Sequence, residues 1–263
     1  MSSFHLILGV AVVFCFATGS IASVRSYRDT ANSVLIAGLL GVTTIVALQL
    51  GGGWDTGFAN AIWISILVTL LLFVAFGVII QDARSLMALL MPYLAILGML
   101  GLMFPEVTGR GLTKSIPVEW VLSHIILSIL TYGLLTLTAV AGLSAMIQER
   151  ALKSRMIGLY PSVLPTLARS EFFETILLRI SLVVLALGLL TGMSVQFFTS
   201  GTLLVLDHKT IFSIAAFIVV VGMVLARQYI GLWGRRGARI AMAAWLLLTL
   251  AYPGVKLINF VIS

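Results

Sequence analysis

Hydrophobic runs of roughly twenty residues recur about eight times along the chain, parted by short polar breaks, and each run is long enough to cross ~30 Å of hydrocarbon as a helix. The pattern is that of a polytopic membrane protein. Of 263 residues, 60% are apolar and only 10% charged, which leaves too little polar surface to cover a water-soluble globule. The runs are continuous, without the alternation of a membrane β-barrel, and a helix satisfies its own backbone hydrogen bonds where water is absent.

The first run, roughly Phe4 to Ser23, has no basic residue before it and no clear small-residue cleavage site ahead of Arg25 and Arg28, so it is expected to be retained as a first span. Further spans are predicted over roughly Ser33–Leu50, Ala61–Ile80, Leu86–Phe104, Val118–Ile147, Phe172–Phe197, Thr210–Ala226 and Ala238–Val261. The expected fold is all-α, a polytopic membrane helix bundle of about eight transmembrane helices forming a single domain over residues 1–263.

Basic residues orient such a bundle. Twelve of the sixteen Lys and Arg residues fall in alternate breaks: Arg25 and Arg28, then Arg84, then Arg150 through Arg179, then Arg227 through Arg239. The opposite side receives only Arg110, Lys114, Lys209 and Lys256. The positive-inside rule therefore predicts both termini outside, periplasmic for a bacterial inner membrane. Contact with anionic lipid accounts for the +7 net charge, and no nucleic-acid partner is called for.

A lone cysteine, Cys15, lies within the first span, so neither a disulfide framework nor a CxxC thiol pair is available. The chain contains no Walker loop, GxGxxG turn, HExxH helix or cysteine-based zinc motif, and no catalysis of its own is expected. Between spans five and six, Arg150–Ser170 mixes basic and apolar residues around Pro161 and Pro165, as an amphipathic piece along the headgroups would. Trp54, Trp63, Trp120 and Trp233 fall near span ends and read as interfacial belt anchors. Gly188 and Gly192, spaced four apart, allow close helix approach.

Span five carries the most chemistry. His124, Ser128 and Tyr132 recur every fourth residue, which lays all three on one helical face, and polar groups in lipid are costly unless they turn inward. His5 and His208 begin spans one and seven, so all three histidines of the chain fall toward the outer side. A pair of neutral imidazoles at a common depth can hold a haem iron axially. Asp207, just ahead of span seven, suits a helix N-cap or a remnant of a haem-handling loop.

The segment from Ser123 to Gly133, SHIILSILTYG, resembles the H-x-x-x-S-x-x-x-Y helix of the cytochrome c assembly family that includes CcsA, HemX and CcmC. Further similarities follow in order: Leu164-Pro165-Thr166-Leu167 with Glu171, Leu190-Thr191-Gly192, Asp207-His208-Lys209 in place of a W-D-P-K-type turn, GLWGRR over Gly231 to Arg236, and LTLAYPG over Leu248 to Gly254. The likeness covers roughly residues 118–263 and is greatest to the small bacterial inner-membrane subgroup called YpjD.

The resemblance implies haem handling at the periplasmic face in support of c-type cytochrome assembly, with haem, apocytochrome c or other assembly proteins, and membrane lipid as partners. It assigns the principal iron ligand to His124; the family's usual second ligand has no counterpart here, so the remaining outer-side imidazoles are the candidates, His208 as the second ligand and His5 in reserve, and Ser128, Tyr132, Trp120 and Asp207 would line the site. Departures accompany it. The family's tryptophan-rich external loop is reduced here to Gly201–Lys209, and the region where relatives carry another histidine reads Arg227-Gln228-Tyr229. A membrane scaffold or regulator that no longer binds haem is the competing reading. A small-molecule transporter is a third, and it is disfavoured by the expectation that no carboxylate lies deep within a span.

Overall fold

The computed structural model of the protein describes residues 3–25, 28–51, 57–103, 118–154, 162–202, 207–231 and 234–250. Eight α-helices stand among them: α1 (Ser3–Val24), α2 (Arg28–Gly51), α3 (Phe58–Ile79), α4 (Met87–Met103), α5 (Val118–Ser154), α6 (Leu167–Ser200), α7 (His208–Tyr229) and α8 (Gly234–Thr249). A 3-10 turn over Gln81–Leu86 leads into α4. Seven helical segments are long and apolar enough to span a membrane. The protein is an all-α, multi-pass membrane protein. The predicted last span is described only in its first part, as α8, and its remainder lies outside the described residues.

Two helices run well past their predicted ends. Helix α5 continues from Ile147 to Ser154 and reaches about 55 Å at 1.5 Å per residue, far more than a hydrocarbon core requires. Gln148, Glu149, Arg150, Ala151, Leu152 and Lys153 are all good helix formers, and Lys153 pairs with Glu149 one turn back. Helix α6 likewise starts at Leu167. The two ends of the stretch expected to lie along the headgroups are therefore continuations of transmembrane helices; residues 155–161 lie outside the described residues.

The chain packs as two compact units, Met1–Gly111 with Met146–Arg169, and Leu112–Ala145 with Ser170–Ser263. In the first, α1 lies against α2 and α4 through contacts too close for side chains at key points. A Cβ on Gly41 would stand 2.4 Å from Val12 Cγ2, and one on Gly9 would stand 2.5 Å from Leu102 Cδ2. In lipid, where apolar faces gain nothing by leaving water, such backbone approach supplies the van der Waals contact that holds helices together. Phe16, Ile66, Leu70, Leu90, Met91 and Leu94 fill the centre. Trp63 joins them at 2% exposure, which corrects its reading as a belt anchor: the α4 glycines Gly98 and Gly101 leave room for its indole inside the bundle. His5 lies on α1 of this unit, half-buried.

The second unit has a core of Tyr132, Leu135, Leu178, Leu185, Ala216, Val220, Met223, Ala241, Ala244 and Leu248, contributed by α5, α6, α7 and α8. Hydroxyls inside it are satisfied locally. Ser144 and Ser170 bond at 2.9 Å, and the Trp245 indole donates to Thr136 at 3.1 Å. The link into α8 turns at Gly231 (φ 66°) and Gly234 (φ 64°), a left-handed conformation that favours glycine. There the Gly234 amide donates to the Glu171 carboxylate of α6 at 2.8 Å, so α6 supplies the acceptor that the first turn of α8 lacks.

A candidate imidazole site on helix α5

His124 stands less than two turns into α5, and its ring crosses to α6. Nδ1 lies 3.0 Å from the carbonyl oxygen of Gly188, and the Thr191 hydroxyl is 3.5 Å from the same nitrogen. A carbonyl only accepts, so Nδ1 carries a proton, and in the neutral imidazole Nε2 then keeps its lone pair. One turn along α6, Gly192 opens the space for the ring: a Cβ there would come within 2.9 Å of His124 Cε1 and 3.2 Å of Nδ1. Gly188 and Gly192, read from the sequence as a surface for close helix approach, thus receive the imidazole.

Ser128 shares the face of His124 but turns back on its own helix, donating to the His124 carbonyl at 2.7 Å. Tyr132 lies deeper, in the apolar core of the unit. Trp120, one turn before His124 and 41% exposed, packs obliquely on Phe198 with ring centroids 6.5 Å apart. Asp207 caps α7 by accepting from the Thr210 amide at 2.8 Å, and His208 is the first residue of that helix. His124, Trp120, Ser128, Tyr132, Asp207 and His208 all belong to the second unit, and His5 to the first. Among the described residues no group of three or more His, Cys, Asp and Glu side chains converges as a metal site.

A second polar cluster escaped the sequence reading. Glu174 of α6 is fully buried and its carboxylate meets the buried Arg227 guanidinium of α7 at 2.6 Å; Arg227 also donates to Thr175. Gly142 of α5 makes room, since a Cβ there would lie 3.1 Å from Glu174 Oε1. The expectation that Arg227 is a loop anchor is corrected here, since its guanidinium is buried against α6. The pair joins residues more than fifty positions apart, and hydropathy along the chain carries no trace of it.

The profile described as "Cytochrome C assembly protein" matches residues 29–262. The chain belongs to the cytochrome c assembly protein family. The match starts in α2 and so extends well before the region from residue 118 on which the resemblance was seen. A similar protein is the "Uncharacterized 28.8 kDa protein in nifR3-like 5'region" of Azospirillum brasilense, 41% identical over 228 residues, which cover 87% of this chain and 84% of that one. No solved structure matches the chain. Membership in the cytochrome c assembly protein family gives this multi-pass membrane protein a role in c-type cytochrome biogenesis.

Proposed function

We propose that the protein carries haem at the periplasmic face of a bacterial inner membrane and presents it for attachment to apocytochrome c, with both of its own termini on that side. It acts as a carrier and performs no catalysis. The observation that supports this reading is the geometry of His124: an imidazole inside the membrane-spanning bundle, held at Nδ1 by a main-chain carbonyl, has Nε2 as the nitrogen that, when neutral, can bind a metal. That is the donor haem iron takes, so the residues fit the cargo. His208 at the start of α7 is the proposed second ligand and His5 the reserve; Trp120 offers an aromatic face beside the same turn of α5. The distribution of basic residues supports the outward placement of His124.

One observation favours a scaffold or regulator that binds no haem. The contacts of His124 with Gly188 and Gly192 join α5 to α6, which is a structural role sufficient in itself. An absorption spectrum of detergent-purified protein from haem-replete cells separates the two. Haem carriage predicts a Soret band that His124→Ala abolishes or greatly reduces and that His208→Ala shifts toward a weaker axial ligand. A wild-type spectrum and haem content in His124→Ala would refute His124 as the ligand, and the lack of a Soret band in wild-type protein would favour the scaffold.

A further inference from the structure

The geometry points to Gly192 as the positioning residue of His124, seating the ring so that Nδ1 stays on the Gly188 carbonyl and Nε2 is the nitrogen left to bind a ligand. The use of that nitrogen rests on the haem reading; the seating does not. The two glycines of α6 are not equivalent. At Gly188 an added Cβ would meet only Leu127 Cβ at 3.8 Å and Thr131 Oγ1 at 4.0 Å, ordinary contacts. At Gly192 the same atom would press on two ring atoms of His124, Cε1 at 2.9 Å and Nδ1 at 3.2 Å, with Nε2 in ordinary contact at 3.6 Å. Gly188 contributes its carbonyl, which any residue supplies, whereas Gly192 contributes the absence of a side chain.

A methyl group at residue 192 therefore displaces the imidazole and leaves the helices where they are. The ring is the free end of a side chain with two rotatable bonds, and the three atoms nearest to such a methyl all belong to it. Swinging the ring away breaks the Nδ1 bond to the Gly188 carbonyl, which is what keeps a proton on that nitrogen. Thr191 shares the arrangement, since its hydroxyl lies 3.0 Å from the Gly188 oxygen and 3.5 Å from Nδ1. The carbonyl has lone pairs for both donors.

The test is nitrogen NMR on full-length, 15N-histidine-labelled protein in detergent without haem. The chain has only three histidines, so His124→Gln identifies the resonances. Wild-type His124 should show a protonated, pyrrole-type Nδ1 and an unprotonated, pyridine-type Nε2. Gly188→Ala should keep that signature. Gly192→Ala should lose it, giving averaged or reversed nitrogens. An unchanged signature in Gly192→Ala, or equal disturbance by Gly188→Ala, would overturn the assignment. Should Gly192→Ala accumulate poorly, the double variant His124→Ala/Gly192→Ala decides: removing the ring makes room for the methyl, so abundance and thermal midpoint should recover, and failure to recover would also overturn the assignment. Protein that gives the expected NMR result yet binds no haem would sink only the haem reading. Haem bound through His124 with an unchanged tautomer in Gly192→Ala would sink only this one.

Discussion

Neutralising one member of the buried Glu174–Arg227 pair should cost far more than its single contact suggests. At 2.6 Å the two charges attract by about 6 kcal/mol if the effective dielectric is near 20. Several kcal/mol of desolvation per ion offset that gain, so the intact pair is worth little beyond a well-packed apolar pair of the same volume. Removing one partner leaves the other buried and uncompensated, which costs about 3–5 kcal/mol. Glu174→Gln keeps the shape beside Gly142 and removes only the charge, and Arg227→Met keeps most of the stem. Each single variant should lower the thermal midpoint in detergent by on the order of 10 °C, as domain-size scaling implies. The double variant Glu174→Leu/Arg227→Met should regain most of that loss, with the hydrogen bond to Thr175 as the remaining deficit. The exposed Arg236 serves as a control: Arg236→Gln should shift the midpoint little. Single variants that behave like this control, or a double variant no more stable than the worse single, would refute the argument.

Two further outcomes follow from α7 and from the charge pattern. Asp207→Ala should weaken the start of α7 by about 1 kcal/mol, as loss of an N-cap does, while Asp207→Asn should be nearly neutral and neither should remove haem; a haem loss in both at normal abundance would make Asp207 part of the site. Reporter fusions after Arg150 and Arg236 should read as cytoplasmic and fusions after Gly51 and Ser200 as periplasmic, and a reversed pattern would contradict the proposed orientation.

What could be read from the sequence was what depends on composition over a window. Seven of the about eight expected spans, the all-helical class and the N-cap at Asp207 each rest on local runs, and the described residues have them. The ends of α5 and α6 were misjudged because hydropathy falls at Ile147 while helix propensity does not. The apolar run ends there and the helix continues, with Glu149 and Lys153 supporting the extra turns. The polar face of His124 was legible because positions four apart align on a helix. Its partners were not. Gly188 lies 64 residues away, and nothing in a periodic pattern says which side chain a glycine notch will hold. Trp63 failed for a related reason: proximity to a predicted span end suggested a belt, whereas Gly98 and Gly101 had left a space for it inside.

Helix α6 carries both polar devices of the second unit. Glu174 precedes Gly188 by fourteen residues and Gly192 by eighteen, a separation of roughly 21–27 Å along the axis. At that distance, with no shared partner, substitutions at the two places should act additively on stability. The ion pair and the imidazole seat can therefore be varied separately. Glu174→Gln should loosen the bundle and leave the His124 tautomer alone, and Gly192→Ala should free the imidazole and leave the ion pair intact. If neutralising Glu174 also released His124 from Gly188, the two ends of α6 would have to move as one body. The separation between a fold-holding pair at one end and a ligand-presenting ring at the other would then be lost.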